Sequence, residues 1–213
     1  MHIILFDGIC HFCSATVRFI IERDEKAQHG HMYSYKDIQQ WEGNWELIDG
    51  VPYLLASPSY IHQYVVGELH LALAPYFKAR GCHLILSPFD VQFDTDNNEE
   101  EAQTVVQPDL FVICNVNQLK KNRVQGAPDL VIEVLSASTG IKDRNQKYYL
   151  YETNGVKEYW MVDPSNRTIE VIGLEDGRFQ KRAVFGPKDV LTSFLYPDLA
   201  ISLNSILHMD DVE

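Results

Sequence analysis

No stretch of this 213-residue chain reaches 18 consecutive apolar residues, so no membrane-spanning helix is expected. No secretory leader is evident at its start. Ile3 to Phe6 is apolar, but Asp7 interrupts the run and no basic segment precedes it. Cysteine is scarce, at positions 10, 13, 82 and 114, too sparse for a dense disulfide framework. Without an export signal, reduced thiols and a cytoplasmic location are the expectation. Basic residues are few beside acidic ones: 18 Lys and Arg stand against 30 Asp and Glu, a formal net charge of −12. That balance argues against a protein that coats nucleic acid by charge alone. Part of the excess is local, since Asp94, Asp96, Glu99, Glu100 and Glu101 share one polar stretch that reads as an exposed loop. There is no internal repeat or low-complexity tract, and no GxSxG or Ser-His-Asp order to support acyl transfer.

What is present includes a hydrophobic fraction of 46%, ordinary for a globular core, in a length that allows one full domain with a small appendage. Two segments stand out. One is Val105-Val106-Gln107-Pro108-Asp109-Leu110-Phe111-Val112-Ile113; the other is Ala127-Pro128-Asp129-Leu130-Val131-Ile132-Glu133-Val134-Leu135-Ser136. Both read as buried strands, being rich in β-branched and apolar residues. Each carries a carboxylate where a core strand should have none, and a buried carboxylate is costly unless something cationic meets it. A divalent metal between Asp109 and Glu133, near the ends of two neighbouring strands, accounts for both.

Residues 1–31 read as an appended strand-helix fragment, and residues 32–213 as the main domain. Ile3 to Phe6 suggests a strand, and Cys10-His11-Phe12-Cys13 leads into a helix from about Ser14 to Arg23. A CxxC at a helix start favours the thiolate through the helix dipole. Through Asp7, Cys10, Cys13, Arg18, Phe19, Arg23 and Asp24 this fragment resembles the beginning of the DCC thiol–disulfide oxidoreductases. One strand and one helix cannot bury a core, so a working redox domain is not expected. As half of a zinc site, the CxxC lacks a second CxxC or an HxxxH.

From Met32 the pattern is continuous. A short helix is predicted over Tyr33 to Trp41, and a hairpin over Trp45 to Leu55 that turns at Asp49-Gly50. Ser59 is a plausible cap for a helix in which Ile61, Val65, Leu69, Leu73 and Phe77 recur every four residues, ending near Gly81. Strands follow between His83 and Phe93, then the two acidic strands with an excursion carrying Lys120, Lys121 and Arg123. A helix is predicted over Ser138 to Asn154. Lys157 to Asp163 and Thr168 to Ile172 form a hairpin, and two short strands and a helix near Leu203 to His208 complete the chain. Helices interspersed with strands indicate an α/β fold, a mixed sheet flanked by helices.

An ordered series of motifs runs through this domain: Glu46-Leu47-Ile48-Asp49-Gly50; Ser57-Pro58 with His62-Gln63; Pro108-Asp109; Pro128-Asp129 with Ile132-Glu133-Val134; Ser136 with Ser138-Thr139; Asp143 with Lys147; and Glu158-Tyr159-Trp160 with Asp163-Pro164. From about Tyr33 to Leu207 the chain closely resembles the Uma-two family, within the PD-(D/E)XK nuclease-like superfamily. The resemblance implies a restriction-endonuclease-like core and metal-dependent hydrolysis of phosphodiester bonds. It also implies Mg²⁺ or Mn²⁺ as cofactor, nucleic acid (DNA) as partner, and a homodimer as an allowed assembly. Asp109 and Glu133 would hold the metal. The superfamily usually places a lysine two positions after the second acid, and here that position is Leu135. Lys147 is the candidate replacement, because Asp143 and Lys147 lie four apart on one helical face; Lys142 is the second choice. The alternative for Asp143 and Lys147 is a surface ion pair. Glu46 is a candidate to add a carboxylate from the hairpin, and His62 and Gln63 to touch the phosphate or the metal's surroundings. Asp129 suits a turn or structural role better than a ligand's, Ser136 and Ser138 suit bracing of the next helix, and Glu68 a polar face. Two other functions compete: an inactive nuclease-like fold that serves as a binding module, and a thiol–disulfide oxidoreductase acting through Cys10 and Cys13.

Overall fold

A computed structural model describes residues 32–94, 99–136 and 143–207, with only the backbone described at Glu99 and Asp143. The CxxC fragment, Ser138 and Lys142 lie outside the described residues. In chain order the strands are β1 (Trp45–Ile48), β2 (Val51–Leu54), β3 (His83–Leu86), β4 (Asp90–Gln92), β5 (Val105–Val106), β6 (Leu110–Ile113), β7 (Arg123–Gln125), β8 (Leu130–Val134), β9 (Glu158–Asp163), β10 (Thr168–Glu175), β11 (Arg178–Phe185), β12 (Val190–Thr192) and β13 (Ala200–Ser202). The α-helices are α1 (Tyr35–Ile38), α2 (Tyr60–Ala79), α3 (Tyr148–Thr153) and α4 (Asn204–Leu207). The described residues divide into two compact units, 32–57 with 92–106 and 58–91 with 107–207.

In the first unit, α1 is a single turn, shorter than the predicted Tyr33 to Trp41. The Asp37 carboxylate reaches back to accept from the Ser34 backbone N–H at 2.9 Å and its hydroxyl at 3.0 Å. β1 pairs antiparallel with β2 and, through Leu47 opposite Val105, with β5. The β1–β2 turn is the predicted one. Asp49 (φ 51°) and Gly50 (φ 72°) both take left-handed backbone, as a two-residue hairpin turn matched to strand twist requires. Glycine is also needed for space, since a Cβ at position 50 would stand 2.8 Å from the Met32 Cβ. Tyr33, Tyr35, Trp45, Leu47 and Val105 form the core of this unit.

The second unit is built on a six-stranded sheet in the order β11-β10-β9-β8-β6-β3. The β8–β9 pair is parallel, and the other neighbours are antiparallel. Alternation along β8 sends Leu130, Ile132 and Val134 to one face, where they join Val65, Val66, Leu69, Leu73 and Phe77 of α2 in the main core. Each of these five helix side chains contributes about 2 kcal/mol by leaving water. Ser59 caps α2, its hydroxyl accepting from the His62 N–H at 3.2 Å. Ile61, expected in the core, is 41% exposed. An every-fourth row drifts about 40° per step around a 3.6-residue helix, and at its end Val66 takes the inward place.

Val131 and Glu133 point to the opposite face of the sheet. Parallel strands need a crossover connection, and between β8 and β9 it contains a π-helical turn, Asp143–Lys147, running into α3. Its described part differs from the predicted regular helix in this wider turn, and it stops as predicted, with Asn154 as cap before Gly155 (φ 80°). The Tyr151 ring on α3 meets the Tyr159 ring on β9 edge-on at 5.1 Å. After β10 the chain forms three strands where two were expected. β11 reads as polar in sequence because it edges the sheet, with Lys181 paired to Glu170 at 3.0 Å and Arg182 to Glu175 at 2.7 Å. Charged edges discourage further strand pairing.

One end of the sheet is fastened. The β3–β6 register sets His83 opposite Ile113, and one step beyond it Cys82 and Cys114 are joined in a disulfide, with Cα atoms 4.2 Å apart. This corrects the expectation of reduced thiols here: the register brings together two cysteines whose separation of 32 in sequence gives no hint of pairing. Beside them, Asp129 accepts from the Cys114 N–H at 2.8 Å through Oδ2 and from Lys157 Nζ at 2.6 Å through Oδ1. Asp129 thereby ties together β6, β8 and β9, the structural part that its place at a strand start suggested.

Candidate active site

Antiparallel pairing of β6 with β8 sets Leu110 opposite Ile132, so the next pair outward is Asp109 and Glu133. The two acidic segments of the sequence therefore meet, at the end of the strands away from the disulfide. Glu133 is 3% exposed on a strand that is buried throughout. Its Oε2 lies 3.5 Å from the Asp109 backbone N–H. Its Oε1 accepts two hydrogen bonds, from Lys147 Nζ at 2.8 Å and from the Tyr151 hydroxyl at 2.6 Å. Both donors come from the crossover, one helical turn apart, and both are buried.

Asp109 is held differently. Its Oδ2 accepts from the Val134 N–H at 2.8 Å and meets His62 Nε2 at 3.1 Å. The Val134 bond lashes the carboxylate to the strand that carries Glu133. The His62 contact reaches over from the first turn of α2, which Ser59 fixes by capping that same residue's N–H. The side chains of His62 and Asp109 are 12% and 19% exposed, against 4% for those of Glu133 and Lys147.

Lys147 is not half of a surface ion pair. Its side chain is 4% exposed, like that of its partner Glu133. Leu135, at the usual position of the lysine, is buried and its N–H is bonded to the Val162 carbonyl at 2.7 Å, so it extends the sheet. Gln63 is exposed and Glu68 half-buried on α2. Glu46 is fully buried on β1, opposite Tyr53, in the first unit; the cluster described here belongs wholly to the second. Tyr151 was missed by sequence reading, although a hydrogen-bonding residue four positions after Lys147 was the available signal.

Two carboxylates on adjacent strand ends, one beside solvent, fit a hard divalent cation that keeps several waters and takes one or two carboxylates. Among the described residues no group of three or more His, Cys, Asp and Glu stands ready for a metal. No helix among the described residues is long and apolar enough to cross a membrane.

The Uma2 family, described as "Putative restriction endonuclease", matches residues 34–204. A Synechocystis sp. protein described as "Uncharacterized protein slr1290" is 26% identical over 148 residues, which are 67% of this chain and 75% of that protein. The crystal structure of a "putative nuclease belonging to DUF820" from Anabaena variabilis has the same fold, with a TM-score of 0.62 at 17% identity, over 82% of this chain and 97% of that one.

Proposed function

This chain belongs to the Uma2 family, and from that premise we propose that it is a divalent-metal-dependent endonuclease hydrolysing phosphodiester bonds of DNA. The observation that carries the reading is the buried Glu133–Lys147 pair at 2.8 Å. It sets a lysine beside the second acid even though the sequence position normally used for it holds Leu135.

Asp109 and Glu133 are the residues that would hold Mg²⁺ or Mn²⁺ through oxygen. A divalent ion bound there acidifies water and offsets charge on the phosphate. Lys147 supplies a fixed positive charge to orient the attacking water or to stabilise charge that develops on the phosphate. His62 and the Val134 N–H hold one Asp109 oxygen, leaving the carboxylate little freedom to turn. The net charge of −12 makes long-range attraction of DNA weak, so binding would depend on local contacts and on the metal. A homodimer would offer two such sites to the two strands of a duplex.

Purified protein incubated with mixed nucleic acids and Mn²⁺, beside Glu133→Ala, tests the activity. Mn²⁺ should also raise the melting temperature of the wild type, since a ligand that binds only the native state stabilises it, and Asp109→Ala should lose that response. Equal stabilisation of both proteins would put the metal somewhere else.

A further inference from the structure

We propose that Tyr151 is a positioning residue of this site: its hydroxyl, together with Lys147, fixes the Glu133 carboxylate so that Oε2 is the oxygen turned toward Asp109. This rests on the nuclease reading above and assigns a part to a residue outside the acid and lysine set.

Glu133 Oε1 receives two short bonds, 2.6 Å from Tyr151 and 2.8 Å from Lys147. Two donors on one oxygen define the plane of the carboxylate, and Oε2 then falls 3.5 Å from the Asp109 N–H. The phenol is itself immobile. Its ring is fully buried and meets Tyr159 edge-on at 5.1 Å, and Tyr159 stacks on Phe179 of β11 at 6.1 Å. Tyr159 lies opposite Val131 in the parallel β8–β9 pair, two residues before Glu133. A continuous aromatic chain thus runs from the edge strand to the acid, on the face of the sheet away from α2. Packing alone would be served by phenylalanine. A buried hydroxyl is costly without a partner, and the partner here is the carboxylate of the site. Lys147 supplies one donor direction on Oε1, and the phenol supplies the second.

The experiment is a Mn²⁺ titration of full-length protein followed by melting temperature, comparing wild type, Tyr151→Phe and Tyr148→Phe. Tyr148→Phe removes a phenol from the same helix, one whose hydroxyl bonds the Phe179 carbonyl at 3.4 Å, away from Glu133. Partners that orient a metal ligand typically change affinity 10–100-fold. The Mn²⁺ concentration for half-maximal stabilisation should therefore rise about tenfold or more in Tyr151→Phe and stay at the wild-type value in Tyr148→Phe. A residue acting through Glu133 should add nothing further in a Glu133→Gln background. Wild-type behaviour of Tyr151→Phe, or an equal loss in the Glu133→Gln background, overturns the positioning role alone. Absence of any Mn²⁺ response in the wild type overturns the nuclease reading and this inference with it.

Discussion

Replacing Lys147 by methionine keeps the unbranched stem and removes the charge. At 2.8 Å, and with an effective dielectric constant near 20, the attraction between Lys147 and Glu133 is roughly 6 kcal/mol. Burying the two ions costs several kcal/mol each, so the intact pair contributes little net stability. The single substitution is another matter. It leaves a buried carboxylate with Tyr151 as a donor and without its cation, and removing one partner of such a pair typically costs about 3–5 kcal/mol. In a chain of this length each kcal/mol moves the melting temperature by about 2–4 °C, which predicts a fall of roughly 6–20 °C for Lys147→Met. Circular dichroism melts without metal read this directly. The Glu133→Gln/Lys147→Met double variant should recover much of the loss, because neither charge is then stranded. With Mn²⁺ present, Lys147→Met should still be stabilised by the ion yet lose DNA hydrolysis, while Lys142→Ala should be nearly silent. Lys147→Met melting like the wild type would refute the buried pair, and retained hydrolysis would remove this lysine from the chemistry.

Glu158 is fully buried and accepts from Trp160 Nε1, the Ser193 hydroxyl and the N–H groups of Phe194 and Leu195. Glu158→Leu strands these donors and should lower stability by about 3 kcal/mol or more, read as a lower urea midpoint. Reducing the Cys82–Cys114 link frees a loop spanning a separation of 32 residues and should cost about 3–4 kcal/mol in the chain-entropy account. Native protein whose Cys82 and Cys114 react with an alkylating agent before reduction would refute the link. Burial, then a hydrogen bond to Asp198, raises the Tyr76 phenol from 10.0 to about 12. The fold favours its neutral form, so this contribution is complete below pH 10 and is lost as pH rises from 10 to about 12. Phenolate absorbance should show Tyr76 titrating late in folded protein, and Tyr76→Phe should remove that step.

The β1–β2 hairpin with its Asp49-Gly50 turn, the two acidic strands and the core stripe of α2 were legible because each is written locally, in alternation, in glycine placement or in the helical period; β7 was not, lying in what reads as a basic excursion. The meeting of Asp109 with Glu133 was also legible, because a carboxylate in a run such as Leu130 to Val134 has few uses. What escaped depends on register or on faces that sequence does not fix. Cys82 and Cys114 meet only through the β3–β6 pairing. β11 looks like a surface segment because its charges protect an edge. The sequence left open whether Lys147 lies on the surface or beneath the sheet, and only the return of the crossover onto the sheet buries it against Glu133. Tyr151 went unnoticed because a tyrosine in a helix reads as core, and its hydroxyl acquires meaning only from the carboxylate it touches.

The asymmetry of the sheet has a mechanical consequence. Covalent and ionic ties at Cys82, Cys114, Asp129 and Lys157 make one end a fixed root. Glu133 lies four residues along β8 from Asp129, roughly 13 Å away at the usual rise of a strand. Among the described residues the acidic end has no covalent tie: hydrogen bonds from Val134, Lys147 and Tyr151 and the pairing of β8 with its neighbours hold it. Reduction of the disulfide should therefore loosen the root and leave the arrangement of Asp109 and Glu133 in place.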